Sequence, residues 1–188
     1  IIKPDMNTHK SEKPLEWITR FAPLVTSGGT VLDLACGNGR HTHYLACLGY
    51  QVTAVDRDLS GISETENAGT IELIGADLED GSPWPLGSRK FNGIIVTNYL
   101  YRLLFPAIID ALDDDGVLIY ETFSMGNKEY GRPSNPNFLL KPSELLSVCS
   151  DRLRVVAYEE GVLGTPSPAV KQRLCAVNRP LDGAPASL

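Results

Sequence analysis

The 188-residue chain has no apolar run near the ~20 residues that a membrane-spanning helix requires, and its polar N-terminus lacks the apolar stretch of a signal peptide. No membrane role is expected, and the reading is of a cytoplasmic protein. Positive charge is also scarce: 17 Lys and Arg stand against 23 Asp and Glu, a formal net charge of −6 with an isoelectric point near 5.1. The basic footprint of a nucleic-acid binder is missing. The four cysteines, Cys36, Cys47, Cys149 and Cys175, form no C-x-x-C pair and have no histidine companions at zinc spacing. They read as reduced thiols, and no metal site is expected.

What is present is ordinary for a globular domain: 43% hydrophobic and 21% charged residues, in a chain long enough to bury one core. Residues 13–178 read as a single domain between flexible segments at 1–12 and 179–188. Apolar spacing predicts a short amphipathic helix over 13–24, ended near Pro23, and Gly28-Gly29 turns into a first strand. Apolar strands then alternate with helical or looped crossovers: strands over 31–34, 51–56, 71–77 and 91–97, helices over 40–48 and 103–112, and room for only a brief helix between 58 and 70. Gly81, Pro83, Pro85 and Gly87 make the third crossover a loop. Asp113-Asp114-Asp115-Gly116 reads as a turn with a solvated acidic face, followed by a fifth strand over 117–120. A long loop over 125–140, rich in Gly, Asn and Pro, precedes a helix over 142–149 and two antiparallel strands over 153–158 and 170–178.

The run Val31-Leu32-Asp33-Leu34-Ala35-Cys36-Gly37-Asn38-Gly39-Arg40 joins a buried strand to a glycine loop and a helix start, the makings of a nucleotide site at the carboxyl edge of a sheet. The dinucleotide fingerprint needs a third small residue three positions after Gly39, and that position is Thr42. Asp33, four residues before Gly37, offers a carboxylate to the ammonium of an amino-acid ligand, a group that NAD lacks. Asp56 ends the second strand nineteen residues after Gly37, where an acid can accept a ribose diol, with Arg57 and Asp58 beside it. Asp77 ends the third strand, so three strand ends carry an acid. The fourth strand opens into Thr97-Asn98-Tyr99-Leu100-Tyr101-Arg102, a polar and aromatic exit.

LDLACGNGR resembles the first motif of class I S-adenosylmethionine-dependent methyltransferases, with Ala35, Gly37 and Gly39 in its three small-residue places. Through PLEWITRFAPL, GRHTHYLACLGYQVTAVDRD and NYLYRLLFPAIIDALDDDGVLIYETF the chain is similar to small stand-alone bacterial enzymes loosely grouped with tellurite-resistance methyltransferases. The resemblance runs from about Trp17 to Asn178. It implies an α/β fold: a Rossmann-like, doubly wound, seven-stranded, mostly parallel sheet with an antiparallel C-terminal strand. It also implies methyl transfer from S-adenosylmethionine to a small-molecule acceptor by in-line displacement, leaving S-adenosylhomocysteine, in a monomer or homodimer.

In that frame Asp33, Ala35, Cys36, Gly37, Gly39, Asp56, Arg57 and Thr97 form the cofactor site, Asp77 accepts the adenine amino group, and the Leu78 N–H donates to a ring nitrogen. Asn98 and Tyr99 lie between cofactor and acceptor, and Tyr99 or Tyr101 can face the sulfonium. The exit carries Thr97-Asn98-Tyr99-Leu100 where enzymes acting on adenine N6 or glutamine have an N-P-P-Y-like run, so neither activity is inferred. His41, Glu121 and Tyr99 are the candidate bases for a hydroxyl acceptor. Tyr130 and Arg132 can enter the pocket from the long loop, and Arg102 or Arg132 can meet an anionic acceptor. His41 and His43, two apart on a helix, make a poor metal pair. Two alternatives stand beside this reading: an NAD-dependent oxidoreductase, and a non-catalytic regulatory domain that binds S-adenosylmethionine.

Overall fold

The structure, a computed structural model, describes residues 13–62, 69–164 and 167–181. Seven strands form one sheet: β1 (Thr30–Leu34), β2 (Gln51–Asp56), β3 (Ile71–Gly75), β4 (Phe91–Thr97), β5 (Leu112–Phe123), β6 (Arg154–Leu163) and β7 (Ala169–Val177). Their order is β3-β2-β1-β4-β5-β7-β6; the first five run parallel, and β7 is antiparallel to both β5 and β6. The helices are α1 (Glu16–Phe21), α2 (Arg40–Cys47), α3 (Phe105–Asp110) and α4 (Glu144–Cys149). The expected doubly wound, mostly parallel α/β sheet with an antiparallel C-terminal strand, β7, is therefore present.

The central strands are apolar on successive residues because both faces are covered. On one face Trp17 and Ile18 of α1 and Leu45 of α2 pack against Val31, Ile95, Ile119 and Cys175. On the other, Leu32, Leu34, Ile94, Val96, Leu118 and Tyr120 pack with Phe105 and Ile108 of α3 and Leu145 of α4. Gly93 lets the first connection lie on the sheet, since a Cβ there would stand 2.9 Å from Val25. Chain order reverses between β1 and β4, which opens a crevice at the carboxyl ends of these strands, the place where doubly wound sheets bind ligands.

Several elements differ from their expected form. The first helix is one and a half turns long and passes into a 3₁₀ turn at Ala22–Leu24, where Pro23 takes an early turn position. The helix expected over 103–112 is a 3₁₀ turn, Arg102–Leu104, followed by α3; Pro106 stands in its first turn and Leu112 already belongs to β5. Asp113–Gly116 is an irregularity inside β5 instead of a turn before it. Phe91 pairs with Leu112 and Gly93 with Val117, while the Asp115 N–H donates to the Asn178 carbonyl and the Asn178 N–H to that of Gly116. The three acids are exposed, as expected.

The third crossover is a loop with Trp84 half-buried against the core. The loop over 125–140 contains two 3₁₀ turns, Asn127–Glu129 and Pro136–Phe138, and is closed at its base by a bridge between Ser124 and Leu140. Residues 179–181, assigned to a flexible tail, are tied down: Arg179 pairs with Asp115, and Arg154 donates to the carbonyls of Pro180 and Leu181. Segments 1–12 and 182–188, and most of the brief helix expected between 58 and 70, lie outside the described residues.

Candidate functional site

β1 delivers the chain into the glycine loop, whose backbone turns through left-handed conformations at Ala35 (φ 54°), Gly37 (φ 54°) and Gly39 (φ 75°). L-residues resist that region, so Ala35 is the strained member of the three. The loop is fixed from within: the Cys36 N–H donates to the Val55 carbonyl at 3.1 Å, and the Gly39 N–H donates to the Cys36 carbonyl at 3.0 Å. It is also fixed from β2. Asp56 accepts the Gly37 N–H on Oδ2 at 2.8 Å and the Asp58 N–H on Oδ1 at 3.1 Å. A Cβ on Gly37 would meet nothing within 4 Å, whereas one on Gly39 would sit 3.0 Å from Ile62. One glycine keeps the loop open toward a ligand; the other admits an apolar neighbour.

The loop borders a cavity of about 1400 Å³ at the carboxyl ends of β1, β2, β3 and β4. Of the residues singled out in the sequence, Ala35, Cys36, Gly37, His41, Asp56, Arg57, Asp77, Leu78, Thr97, Asn98 and Tyr99 line it together. Asp77 accepts the Glu79 N–H on Oδ1 at 2.9 Å, which bends the chain after β3 and leaves Oδ2 for another partner. Burial pushes the Cys36 thiol pKa up, which keeps the side chain protonated and suits a small filler beside the cavity. The Tyr99 hydroxyl is shielded from solvent beside the Glu79 carboxylate without a well-formed hydrogen bond; burial, then Glu79, pushes its pKa up.

Eight of the singled-out residues do not line the cavity: Asp33, Gly39, Asp58, Tyr101, Arg102, Glu121, Tyr130 and Arg132. Asp33 points to the helical face, where its buried carboxylate accepts the Thr42 hydroxyl at 2.6 Å. Desolvation pushes its pKa up to about 6. Residue 42 is thus a hydroxyl because the strand carboxylate beneath α2 needs a donor, which also explains why the small residue of a dinucleotide fingerprint is absent. Gly39 serves as the N-cap residue of α2. Tyr101 precedes the 3₁₀ turn, and Tyr130 and Arg132 are exposed on the long loop. From that loop it is Pro133 and Phe138 that reach the cavity wall, with Phe123 at the end of β5.

The candidate bases also take other parts. His41 is buried, its Nε2 accepts the Leu15 N–H at 3.2 Å, and its Nδ1 lies 3.4 Å from the Thr97 hydroxyl. The accepting Nε2 fixes the neutral tautomer with the proton on Nδ1, and desolvation holds the pKa down to about 3. Its lone pair is occupied in holding α1 to α2. His43 also lines the cavity despite its spacing from His41, and its buried Nδ1 has no hydrogen-bond partner among the described residues. Glu121 is buried in an ion pair with Lys171 at 2.8 Å. Arg102, proposed for an anionic acceptor, is bound to Glu144 at 2.6 Å and to the carbonyls of Asn137 and Leu139, both at 2.9 Å.

Sequence reasoning missed Lys171 and Glu79, and it considered His43 only as a metal partner of His41. Only His43 carried a signal, its place in the first turn of the helix that follows the glycine loop. Among the described residues no group of three or more His, Cys, Asp or Glu is arranged to hold a metal ion, and no helix is long and apolar enough to cross a membrane.

Comparison with known proteins adds a family, a curated relative and two solved structures. The sequence profile of the family described as tellurite resistance protein TehB matches residues 18–112, half of the chain. A curated tRNA/tmRNA (uracil-C(5))-methyltransferase of Neisseria gonorrhoeae is 30% identical over 110 residues, covering 53% of this chain and 30% of that protein. The crystal structure of TehB from Haemophilus influenzae superposes with a TM-score of 0.68 at 20% identity, covering 86% of this chain and 61% of that one. A SAM-dependent methyltransferase from Methanosarcina mazei superposes with a TM-score of 0.66 at 15% identity, covering 89% and 99%. The chain spans less than a third of the curated relative's length.

Proposed function

Because the chain belongs to the TehB family of tellurite resistance proteins, we propose that it is an S-adenosylmethionine-dependent methyltransferase acting on a small acceptor. The observation that carries this reading is the joint arrangement of the glycine loop, Asp56 at the end of β2 and Asp77 beyond β3 around one cavity. The residues present fit the cofactor. Asp56 has lone pairs to spare after its two backbone contacts and can accept both ribose hydroxyls; Asp77 Oδ2 can accept the adenine amino group. The Leu78 N–H, which donates to no described residue, suits a ring nitrogen.

When bound, the cofactor supplies a methyl group made electrophilic by a sulfonium. The chain's own part is to bind, orient and exclude water. Phe123, Pro133 and Phe138 form an apolar wall, and Asn98 and Tyr99 stand between this wall and the glycine loop. Orientation of two reactants can replace much of the barrier that a free encounter must cross, about 7 kcal/mol or more in well-aligned cases. His41 spends its lone pair on the Leu15 N–H, and Glu121 is held outside the cavity lining in a buried ion pair with Lys171, so the site favours an acceptor that arrives as a nucleophile, such as an oxyanion, a thiolate or an amine. Tellurite, named in the family's description, is the first such oxyanion to try. The net charge of −6 speaks against a polynucleotide acceptor.

The test is release of S-adenosylhomocysteine in the presence of S-adenosylmethionine and a panel containing tellurite, a thiol and an amine. Acceptor-dependent release supports the proposal. Binding of S-adenosylhomocysteine with no release for any acceptor would favour a regulatory domain, and absence of binding would remove the methyltransferase reading altogether.

A further inference from the structure

We propose that Lys171 is a positioning residue, which fixes the Asn98 side-chain amide so that its NH₂ group faces the cavity and donates to an oxygen of the bound ligand. This rests on the methyltransferase reading for the identity of that ligand. Lys171 lies on β7, opposite Phe123 of β5, and its ammonium is buried. Three partners surround it: Glu121 Oε1 at 2.8 Å, Asn98 Oδ1 at 2.7 Å, and the face of the Phe123 ring with its centroid at 4.7 Å. An ammonium only donates, so the atom of Asn98 that meets it must be the carbonyl oxygen. The amide nitrogen is thereby turned the other way, and among the described residues it makes no hydrogen bond.

The backbone cooperates. Asn98 adopts a left-handed conformation, φ 54°, which Asn tolerates better than most residues, and its N–H donates to the Glu121 carbonyl at 2.8 Å. Glu121 therefore holds Asn98 twice, once through its own carbonyl and once through the lysine that its carboxylate keeps in place. The carboxylate and the ammonium cancel, so the ligand meets a neutral, oriented amide and no bare positive charge. Asn98 lines the cavity next to the glycine loop. The oxygen that it meets belongs either to the cofactor's amino-acid carboxylate or to an oxyanion acceptor.

The experiment compares the wild type with Asn98→Ala and with the double variant Lys171→Met, Glu121→Gln, which avoids leaving a lone buried charge. In the ligand-free protein, ¹⁵N relaxation of the Asn98 side-chain amide reads positioning directly. The order parameter is expected to be clearly lower in the double variant than in wild type, falling below the value of about 0.6 that marks a flexible group. An unchanged order parameter in a folded double variant overturns the role of Lys171, whether or not the protein binds S-adenosylhomocysteine. Calorimetry then separates the two oxygens. If the cofactor carboxylate is the partner, both variants lose about tenfold in affinity for S-adenosylhomocysteine and nothing for 5′-methylthioadenosine, which lacks the carboxylate. If the acceptor is the partner, affinity for S-adenosylhomocysteine is kept and tellurite binding to that complex weakens about tenfold. Unchanged affinity for S-adenosylhomocysteine together with tellurite binding that is absent or unchanged overturns the proposal. So does a loss in the double variant that Asn98→Ala fails to reproduce, which would make the ion pair purely structural.

Discussion

The Asp33 carboxyl sits fully inside the protein with Thr42 as its side-chain donor, and desolvation lifts its pKa from about 3.8 to about 6. Folding therefore takes up a proton between about pH 4 and pH 6, and the stability that depends on Asp33 falls as pH rises through that window. Asp33→Asn removes the fall: relative to wild type it should gain up to about 3 kcal/mol at pH 8 and nothing at pH 4, read from denaturant unfolding at both values. A constant difference at the two pH values would show that Asp33 is not buried as a carboxylate. Asp56→Ala acts on the ligand side. Loss of charge-assisted acceptors should weaken S-adenosylhomocysteine at least tenfold by calorimetry, and unchanged affinity would mean that the ribose lies elsewhere. That Asp56 and Asp77 come to one cavity was legible because Asp56 ends a strand, Asp77 lies just past one, and each opens a turn. Asp33 was not, since side chains alternate across a strand and its position pointed to α2 instead of the crevice. Lys171 was illegible for a different reason: a lone lysine in a strand reads as a solvent-facing residue until Glu121 and Asn98, 50 and 73 positions away, are brought beside it.

At the scale of elements, the connection that matters most is the loop over 125–140. Arg102 holds it by donating to the carbonyls of Asn137 and Leu139 while paired with Glu144 at the start of α4, and Asn127 closes it by donating to the Pro133 carbonyl at 3.0 Å. Phe138 and Pro133 reach the cavity wall on this frame. Arg102→Ala should cost about 1–3 kcal/mol and speed amide exchange at residues 137–140, while affinity for S-adenosylhomocysteine changes little. Equal exchange in variant and wild type would show that the loop is held by its own turns. The loop's existence was plain from its Gly, Asn and Pro content. Its tether was not, because an arginine's partners are set by tertiary contact and Arg102 lies 35–42 positions from them. The Asp113–Gly116 irregularity was hidden for a related reason: a turn-like run is carried inside β5 where Asn178, beyond β7, meets its backbone.

At the scale of the whole molecule, the alternation of apolar strands with short crossovers gave the elements and the resemblance to class I methyltransferases implied their doubly wound sheet, whose reversal between β1 and β4 makes the crevice. Ile95 lies at the centre of that sheet, fully buried against the α1 and α2 face. Ile95→Ala should lower unfolding free energy by about 2–5 kcal/mol, with the same midpoint loss by fluorescence and circular dichroism. Ligand binding should work in the opposite direction. S-adenosylhomocysteine at a hundred times its dissociation constant adds about 2.7 kcal/mol to the folded state. The central claim, that the glycine loop and the two strand-end carboxylates form an S-adenosylmethionine site, is tested most directly by titration calorimetry with S-adenosylhomocysteine and, separately, NAD. Saturable binding of S-adenosylhomocysteine, weakened by Asp56→Ala, with no heat from NAD is the expected result; binding of NAD without any response to S-adenosylhomocysteine would contradict it.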